Sequence, residues 1–172
     1  RPYLSVVLPV FNEEENIRMQ YEQIIKAVKP LNVTYEIIFI DDGSTDRTWD
    51  ILQEARTRIP GLRPVRNEGV HGFGRAVACG LAQASGDALV IMMADESDDC
   101  RDVHRYGTTL NEGWECAFGS RFVRGGGVID YPWLKLGLNR AANLFIRLLF
   151  GVPLNDTTNA FKAYRRTVIE GC

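Results

Sequence analysis

The chain has 172 residues, 45% hydrophobic and 24% charged, with a formal net charge of −2. That balance suits one globular domain with a real core, and it argues against a nucleic-acid partner. The four cysteines (Cys79, Cys100, Cys116 and Cys172) show no metal-site spacing, no apolar run is long enough to cross a membrane, and no signal peptide is evident. Residues 1–100 hold 16 acids against 10 bases, and residues 101–172 hold 6 against 10. An acidic first half followed by a basic second half fits a metal-and-nucleotide half joined to one that meets an anion. The chain starts at Arg1 and stops at Cys172, and it reads as a single domain truncated at its C-terminus.

Leu4–Val10 is β-rich and almost wholly apolar, as a buried parallel strand should be, with Pro9 expected to stop its ladder. Asn12 is the expected N-cap of the next helix, with Glu13, Glu14 and Glu15 in its first turn, where the helix dipole favours acids. Ile17, Tyr21, Ile24, Ile25 and Val28 recur at helical spacing. Tyr35–Ile40 is a second buried strand ending in Asp41-Asp42-Gly43-Ser44, and a helix opens near Asp46. Leu62–Val65 is a short third strand. The glycine-rich loop Asn67–Gly74 precedes a small-residue helix, Arg75–Ala84.

The fourth strand carries the main chemical signal. The apolar run ALVIMMA, from Ala88, breaks into Asp95, Glu96, Asp98 and Asp99. Carboxylates delivered at a strand's end suit a hard cation such as Mg²⁺ or Mn²⁺. They suit equally a solvated turn in which Asp98 or Asp99 caps the following helix, Asp102–Asn111. Cys116–Gly119 reads as a fifth strand. The loop Arg121–Tyr131 is a lid or a surface connector. Pro132–Phe150 is the longest helical pattern, with Lys135, Asn139, Asn143 and Arg147 on one stripe and a broad apolar arc opposite. It is either a core helix with a solvated basic face or a helix lying on a membrane surface. Asn155–Arg166 is polar and then basic. Strands alternating with helices argue a mostly parallel α/β sheet with right-handed crossovers.

Competing motifs fail on spacing. NEGVHGFGRA lacks the G-K-[ST] of a phosphate-binding loop and sits wrongly for a dinucleotide fingerprint. The adjacent acids Asp41 and Asp42 lack the intervening residue of a phosphatase-type D-x-D-G. His71 and His104 have no partner histidine nearby and read as structural or surface residues.

Acids closing strands one, two and four, in that order, are more specific than any one of them. The stretches VVLPVFNEEENI, EIIFIDDGSTDRT, RNEGVHGFGRAVACG, ALVIMMADESDD, FGSRF and NDTTNAFKAYRR resemble family 2 glycosyltransferases of the GT-A fold. The likeness is to the branch of dolichyl-phosphate mannose synthases and polyprenyl-phosphate glycosyltransferases, and it covers nearly the whole chain. It implies a Rossmann-like, mixed and mostly parallel sheet flanked by helices.

The same resemblance implies roles. Pro9, Phe11, Glu13, Ile40 and Asp42, with Met93, Ala94, Asp95 and Lys162, would bind the nucleotide-sugar. Asp95 matches the second acid of the family's D-x-D motif and would hold Mg²⁺ or Mn²⁺, with Asp98 as a second ligand. Arg121, Lys135 and Asn139 would hold the acceptor's phosphate. Asp156 would orient the acceptor or act as base, and Asp95, Asp156 and Arg121 form the catalytic set. The sequence departs from the pattern at Met93, which replaces the first acid, at Cys100, which replaces a proline, and at Lys135, which replaces an arginine.

The implied activity is inverting, metal-assisted transfer of a sugar from GDP-mannose or a UDP-sugar to a polyprenyl or dolichyl phosphate. It would occur at the cytoplasmic membrane face, with the protein peripheral to or anchored at the membrane. Two other readings are a family 2 enzyme acting on a polysaccharide or glycolipid hydroxyl, and a non-catalytic nucleotide-sugar-binding domain.

Overall fold

A computed structural model describes residues 2–95, 98–123, 126–127 and 132–171. In chain order the elements are β1 (Leu4–Val10), α1 (Ile17–Val28), β2 (Tyr35–Asp41), α2 (Thr48–Arg58), β3 (Leu62–Arg66), α3 (Phe73–Gln83) and β4 (Ala88–Ile91). They continue with α4 (Arg101–Asn111), β5 (Cys116–Phe118), α5 (Trp133–Phe150), β6 (Lys162–Arg165) and α6 (Arg166–Glu170). One six-stranded sheet runs in the order β3-β2-β1-β4-β6-β5. β1 pairs in parallel with β2 and β4, β2 pairs in parallel with β3, and β6 runs antiparallel to β4. The expected mixed, mostly parallel sheet is therefore present.

Strand alternation divides the core in two. Leu4, Val6, Leu8, Ile37 and Phe39 pack with α1, α2 and α4 on one face. Val7, Ile38, Ile40 and Leu89 pack on the other, where α3 contributes Ala76. The small-residue pattern of α3 has a direct cause. A Cβ on Gly80 would lie 2.3 Å from Val7 Cγ1 and 3.0 Å from Ile40 Cγ1, so only glycine lets the helix approach this closely.

A buried polar cluster pins the same side. Glu36 is 4% exposed. It accepts hydrogen bonds from the Ser5 hydroxyl (2.7 Å) and the Ser85 amide (2.7 Å) and hydroxyl (2.8 Å), and it pairs with Arg63. Burial alone would raise its pKa, but these donors outweigh burial and lower it to about 2. A carboxylate whose folded pKa is depressed stabilises the fold above its unfolded pKa, and that stabilisation fades as pH falls through the folded value. Glu36→Gln is therefore expected to remove roughly 3 kcal/mol at neutral pH, with the gap between variant and wild type closing between about pH 4.5 and 2. Urea unfolding at a series of pH values reads this directly.

Several boundaries differ from expectation. Asn12 does not cap α1; it sits at φ 54°, and the helix begins at Ile17, after a turn in which the Glu13 carbonyl accepts from Asn16 and Ile17. The three glutamates therefore precede the first turn. Pro9 does not end β1, which continues to Val10; Pro9 lies beyond the last β1–β4 pair, Val7 with Ile91, where β4 asks no bond of it. β4 stops at Ile91, so Met92, Met93 and Ala94 lie beyond the strand. β6 was not foreseen, because KAYR is short and its neighbours are distant in sequence.

The chain forms two compact units, one running through Ala117 and resuming at Phe161, the other spanning Phe118–Ala160. The second unit leaves the sheet at β5 and returns at β6, which are adjacent strands. Of the two alternatives for its helix α5, the core helix with a solvated basic face does not match the burial pattern. Asn143, on the polar stripe, is its only buried residue. Leu134, Leu138, Leu144, Phe145, Leu148 and Leu149 are exposed.

Candidate active site

β1 runs between β2 and β4, so the chain order reverses beside it, which is where α/β sheets open a crevice at their strand ends. The segments following β1 and β2 are stitched together. The Asn12 amide donates to Ser44 Oγ (3.0 Å), and the Thr45 amide donates to Asn12 Oδ1 (2.8 Å). The Glu13 amide donates to Thr48 Oγ1 (2.8 Å), and the Asp42 amide donates to the Val10 carbonyl (2.9 Å). Asp41 is buried and structural: its Oδ1 accepts from the Ser44 amide, and Arg66 lies 3.5 Å from its Oδ2.

Asp42 is the acid turned toward the glycine loop. Its Oδ1 accepts from Asn67 Nδ2 (2.6 Å) and lies 3.2 Å from His71 Nδ1; its Oδ2 accepts from the Gly72 amide (2.7 Å). Burial would raise its pKa, but these contacts and the charge His71 can carry hold it below the usual carboxylate range. Gly43, at φ 87°, makes room for the imidazole: a Cβ there would sit 2.8 Å from His71 Cε1. His71, taken from sequence as a structural or surface residue, is thus a direct partner of the acid expected to meet the nucleotide. The missed signal was a histidine in a glycine loop following a double-acid strand end. Asp42→Ala is expected to speed amide exchange at Gly72 by roughly an order of magnitude while leaving the exchange of β1 amides unchanged.

The segment after β4 is fixed through its backbone. The Met93 amide donates to Asp98 Oδ2 (2.8 Å), and the Met93 carbonyl accepts from Gln20 Nε2 (3.2 Å). Gln20 on α1 is fully buried and was not singled out in the sequence. Asp95 is exposed, Ala94 is buried and Met93 is half-buried. Asp99 accepts from the Arg101 amide and side chain, although the N-cap position of α4 is Cys100 and not Asp98 or Asp99; Glu96 lies outside the described residues. Among the described residues no group of three or more His, Cys, Asp or Glu side chains converges to hold a metal ion. An exposed Asp95 nonetheless fits Mg²⁺ or Mn²⁺, because such ions take one or two protein carboxylates and fill the rest of the shell with substrate phosphate and water. Met93 offers no hard donor, and Asp98 already caps the Met93 amide.

The other expected residues of this unit divide clearly. Phe11 is 57% exposed, and Glu13 accepts from Asn16 Nδ2 beside it. Lys162 pairs with Ile91, so β6 sets it next to the end of β4. The Ile40 side chain is wholly buried among Val7, Ile38 and Ala76, so a part in a nucleotide pocket would fall to its backbone. Pro9 is likewise buried within β1.

In the second unit Arg121 and Asp156 form a bidentate pair. Nε donates to Oδ2 (2.8 Å) and Nη2 to Oδ1 (2.7 Å), and the Arg121 amide also donates to Oδ2 (2.9 Å). Arg121 Nη2 reaches Thr158 Oγ1 (3.1 Å), which lies 3.4 Å from Asn139 Oδ1. Asn143 donates to Asn139 and accepts from the Thr157 amide (2.7 Å) and hydroxyl (2.8 Å). The structure thus joins Arg121 and Asn139 through Thr158, with Lys135 exposed one turn before Asn139. Burial would raise the Asp156 pKa, but the Arg121 bonds and charge outweigh it and keep the carboxyl ionised. Of the two options expected for Asp156, orienting the acceptor or acting as base, the contacts with Arg121 favour an orienting part, because a buried carboxylate held by an arginine is a poor proton acceptor.

Residues 5–172 match the sequence model of glycosyl transferase family 2. The chain belongs to that family. This family 2 sequence is 33% identical over 170 residues to a dolichol-phosphate mannosyltransferase of Pyrococcus furiosus, covering 98% of this chain and 47% of that one. It is 32% identical over 169 residues to a polyprenol monophosphomannose synthase of Mycolicibacterium smegmatis, covering 96% of this chain and 62% of the relative. The chain thus spans about half the length of the curated relatives it matches. Its fold is GT-A. A Pyrobaculum calidifontis mannosyltransferase solved with GDP-Man and Mn²⁺ superposes with a TM-score of 0.68 at 21% identity, covering 99% of this chain and 46% of that one. A Mycobacterium tuberculosis glucosyl-3-phosphoglycerate synthase solved with Mn²⁺ and UDP-glucose gives 0.68 at 28% identity, covering 99% and 58%.

Proposed function

We propose that the protein transfers a hexose from a nucleotide-sugar, GDP-mannose or a UDP-sugar, to a polyprenyl phosphate at the cytoplasmic face of a membrane, inverting the anomeric carbon. The observation that carries the reading is the state of Asp156. It is the only carboxylate among the described residues of its unit, and it is committed to Arg121. A hydroxyl acceptor would need a base there. A phosphate monoester arrives already ionised and needs only positioning.

In this reading Asp42 and Glu13 accept hydrogen bonds from the base or ribose, with Phe11 beside them. Mg²⁺ or Mn²⁺ bound at Asp95 would offset the charge that develops on the departing diphosphate. Arg121, held flat by Asp156, presents its guanidinium to the acceptor phosphate with Asn139 and Lys135. An acceptor oxygen bonds to the anomeric carbon from the face opposite the nucleotide. The bond from that carbon to the diphosphate oxygen breaks, and the nucleoside diphosphate leaves with the electron pair.

The outward apolar arc of α5 supports a lipid surface as the meeting place. No helix among the described residues is long and apolar enough to cross a membrane. The deciding experiment is a thermal-shift panel of GDP- and UDP-sugars with and without Mn²⁺, followed by turnover with and without a polyprenyl phosphate. Stabilisation by one donor that requires Mn²⁺, and turnover that requires the lipid phosphate, are expected. Turnover onto a hydroxyl acceptor without lipid phosphate would overturn the proposal.

A further inference from the structure

A cationic cleft lies in the second unit, apart from Arg121 and Asp156. A cleft of about 430 Å³ is lined by Phe122, Arg140, Asn143, Leu144, Arg147 and Asn155. Its two arginines stand two helical turns apart on α5, about 10 Å along the axis, within reach of one group between them. Both are exposed, and among the described residues neither carries an ion pair or a hydrogen bond. Arg140 lies over the Phe122 ring, 5.5 Å from its centroid, a contact that steadies a guanidinium without neutralising it. Among the described residues no carboxylate lines the cleft. Arg121, by contrast, is already paired with a carboxylate.

The surroundings define the anion. At 100° per residue, Arg140 and Arg147 fall about 20° apart on one edge of the apolar arc, with Leu144, Leu148 and Phe145 following in turn around it. These three leucine and phenylalanine side chains are 56%, 75% and 63% exposed. Unneutralised guanidinium groups bordering an exposed apolar face complement a phosphate that carries an acyl tail. A free nucleotide or sugar phosphate would leave that face in water.

We propose that this cleft holds the phosphodiester of an anionic phospholipid of the surrounding bilayer, distinct from the acceptor phosphate. The site orients α5 on the membrane and makes binding depend on lipid charge. This rests on the reading that α5 meets a lipid surface.

The test is flotation of the protein with vesicles of phosphatidylcholine alone, or with phosphatidylglycerol as a minor component. Wild type is expected to bind the phosphatidylglycerol vesicles on the order of tenfold tighter, with the gain lost in high salt. Arg140→Gln with Arg147→Gln is expected to abolish the gain and leave phosphatidylcholine binding unchanged. Arg140→Lys with Arg147→Lys, which keeps charge but not the planar fork, is expected to recover less than half of it. Full recovery by lysine would reduce the cleft to diffuse charge and overturn the site. A third vesicle, phosphatidylcholine with a trace of polyprenyl phosphate, separates the sources: arginine dependence confined to it would make the cleft part of the acceptor site and overturn the proposal. Equal binding of wild type to charged and uncharged vesicles would overturn the headgroup site alone. No binding to any vesicle would overturn the membrane reading itself.

Discussion

Asp95→Ala is expected to lower sugar transfer by roughly a hundredfold or more, the scale seen when one charge-stabilising group is lost from a reacting site. The loss should fall on turnover, because Asp42, Glu13 and Phe11, proposed to hold the base and ribose, remain in place. Asp98→Ala should cost less and act differently, since Asp98 holds the Met93 amide and its loss loosens the segment that presents Asp95. Met93→Asp is the converse experiment. By adding a hard oxygen at the first position of the motif, it should lower the Mn²⁺ concentration needed for half-maximal rate. Release of nucleoside diphosphate, measured across a Mn²⁺ series, reads all three variants. An unchanged rate for Asp95→Ala would sink the metal assignment.

The second large effect concerns Arg121. Its removal leaves the Asp156 side chain, at 0% exposure, as an uncompensated buried charge, and Arg121→Ala is expected to cost about 3–5 kcal/mol of stability. The double variant with Asp156→Ala should recover part of that, because the orphaned charge goes with its partner. The pH dependence follows from the depressed Asp156 pKa: the pair stabilises the fold above the ordinary carboxylate value and ceases to do so as pH falls through the lowered one. At temperatures where Arg121→Ala remains folded, its use of the acceptor should fall much further than its affinity for the donor. Equal losses in both would make Arg121 a purely structural residue. Urea unfolding, with separate donor-binding and acceptor-saturation measurements, distinguishes these outcomes.

The parallel sheet and its strand ends were legible in the sequence because their signals are local. Each parallel strand is a short apolar run, and each ends in acids or glycine within a few residues. What escaped depended on distant partners. KAYR became β6 only because β4 lay beside it. His71 gained a role only when the loop folded back onto Asp42. Helix α5 shows a different limit: periodicity divides a helix into two faces but does not say which one turns inward. Asn143 looked like part of a solvated stripe, yet it satisfies its amide against Asn139, Thr157 and Thr158. Its neighbours in the sequence carried no hint of those partners. Likewise the sequence carried no hint that Asp156 would pair with Arg121.

The return of the chain through β6, beside the strand from which it departed, has an evolutionary corollary. A segment whose two ends are anchored on adjacent strands is a closed excursion, and the entropy of closing such an excursion grows only logarithmically with its length. Insertions and deletions between Phe118 and Ala160 would therefore disturb the parallel sheet very little. If Arg121 and Asn139 hold the acceptor as proposed, this part of the molecule is free to diversify with the acceptor while the strand ends proposed to bind the nucleotide-sugar stay fixed.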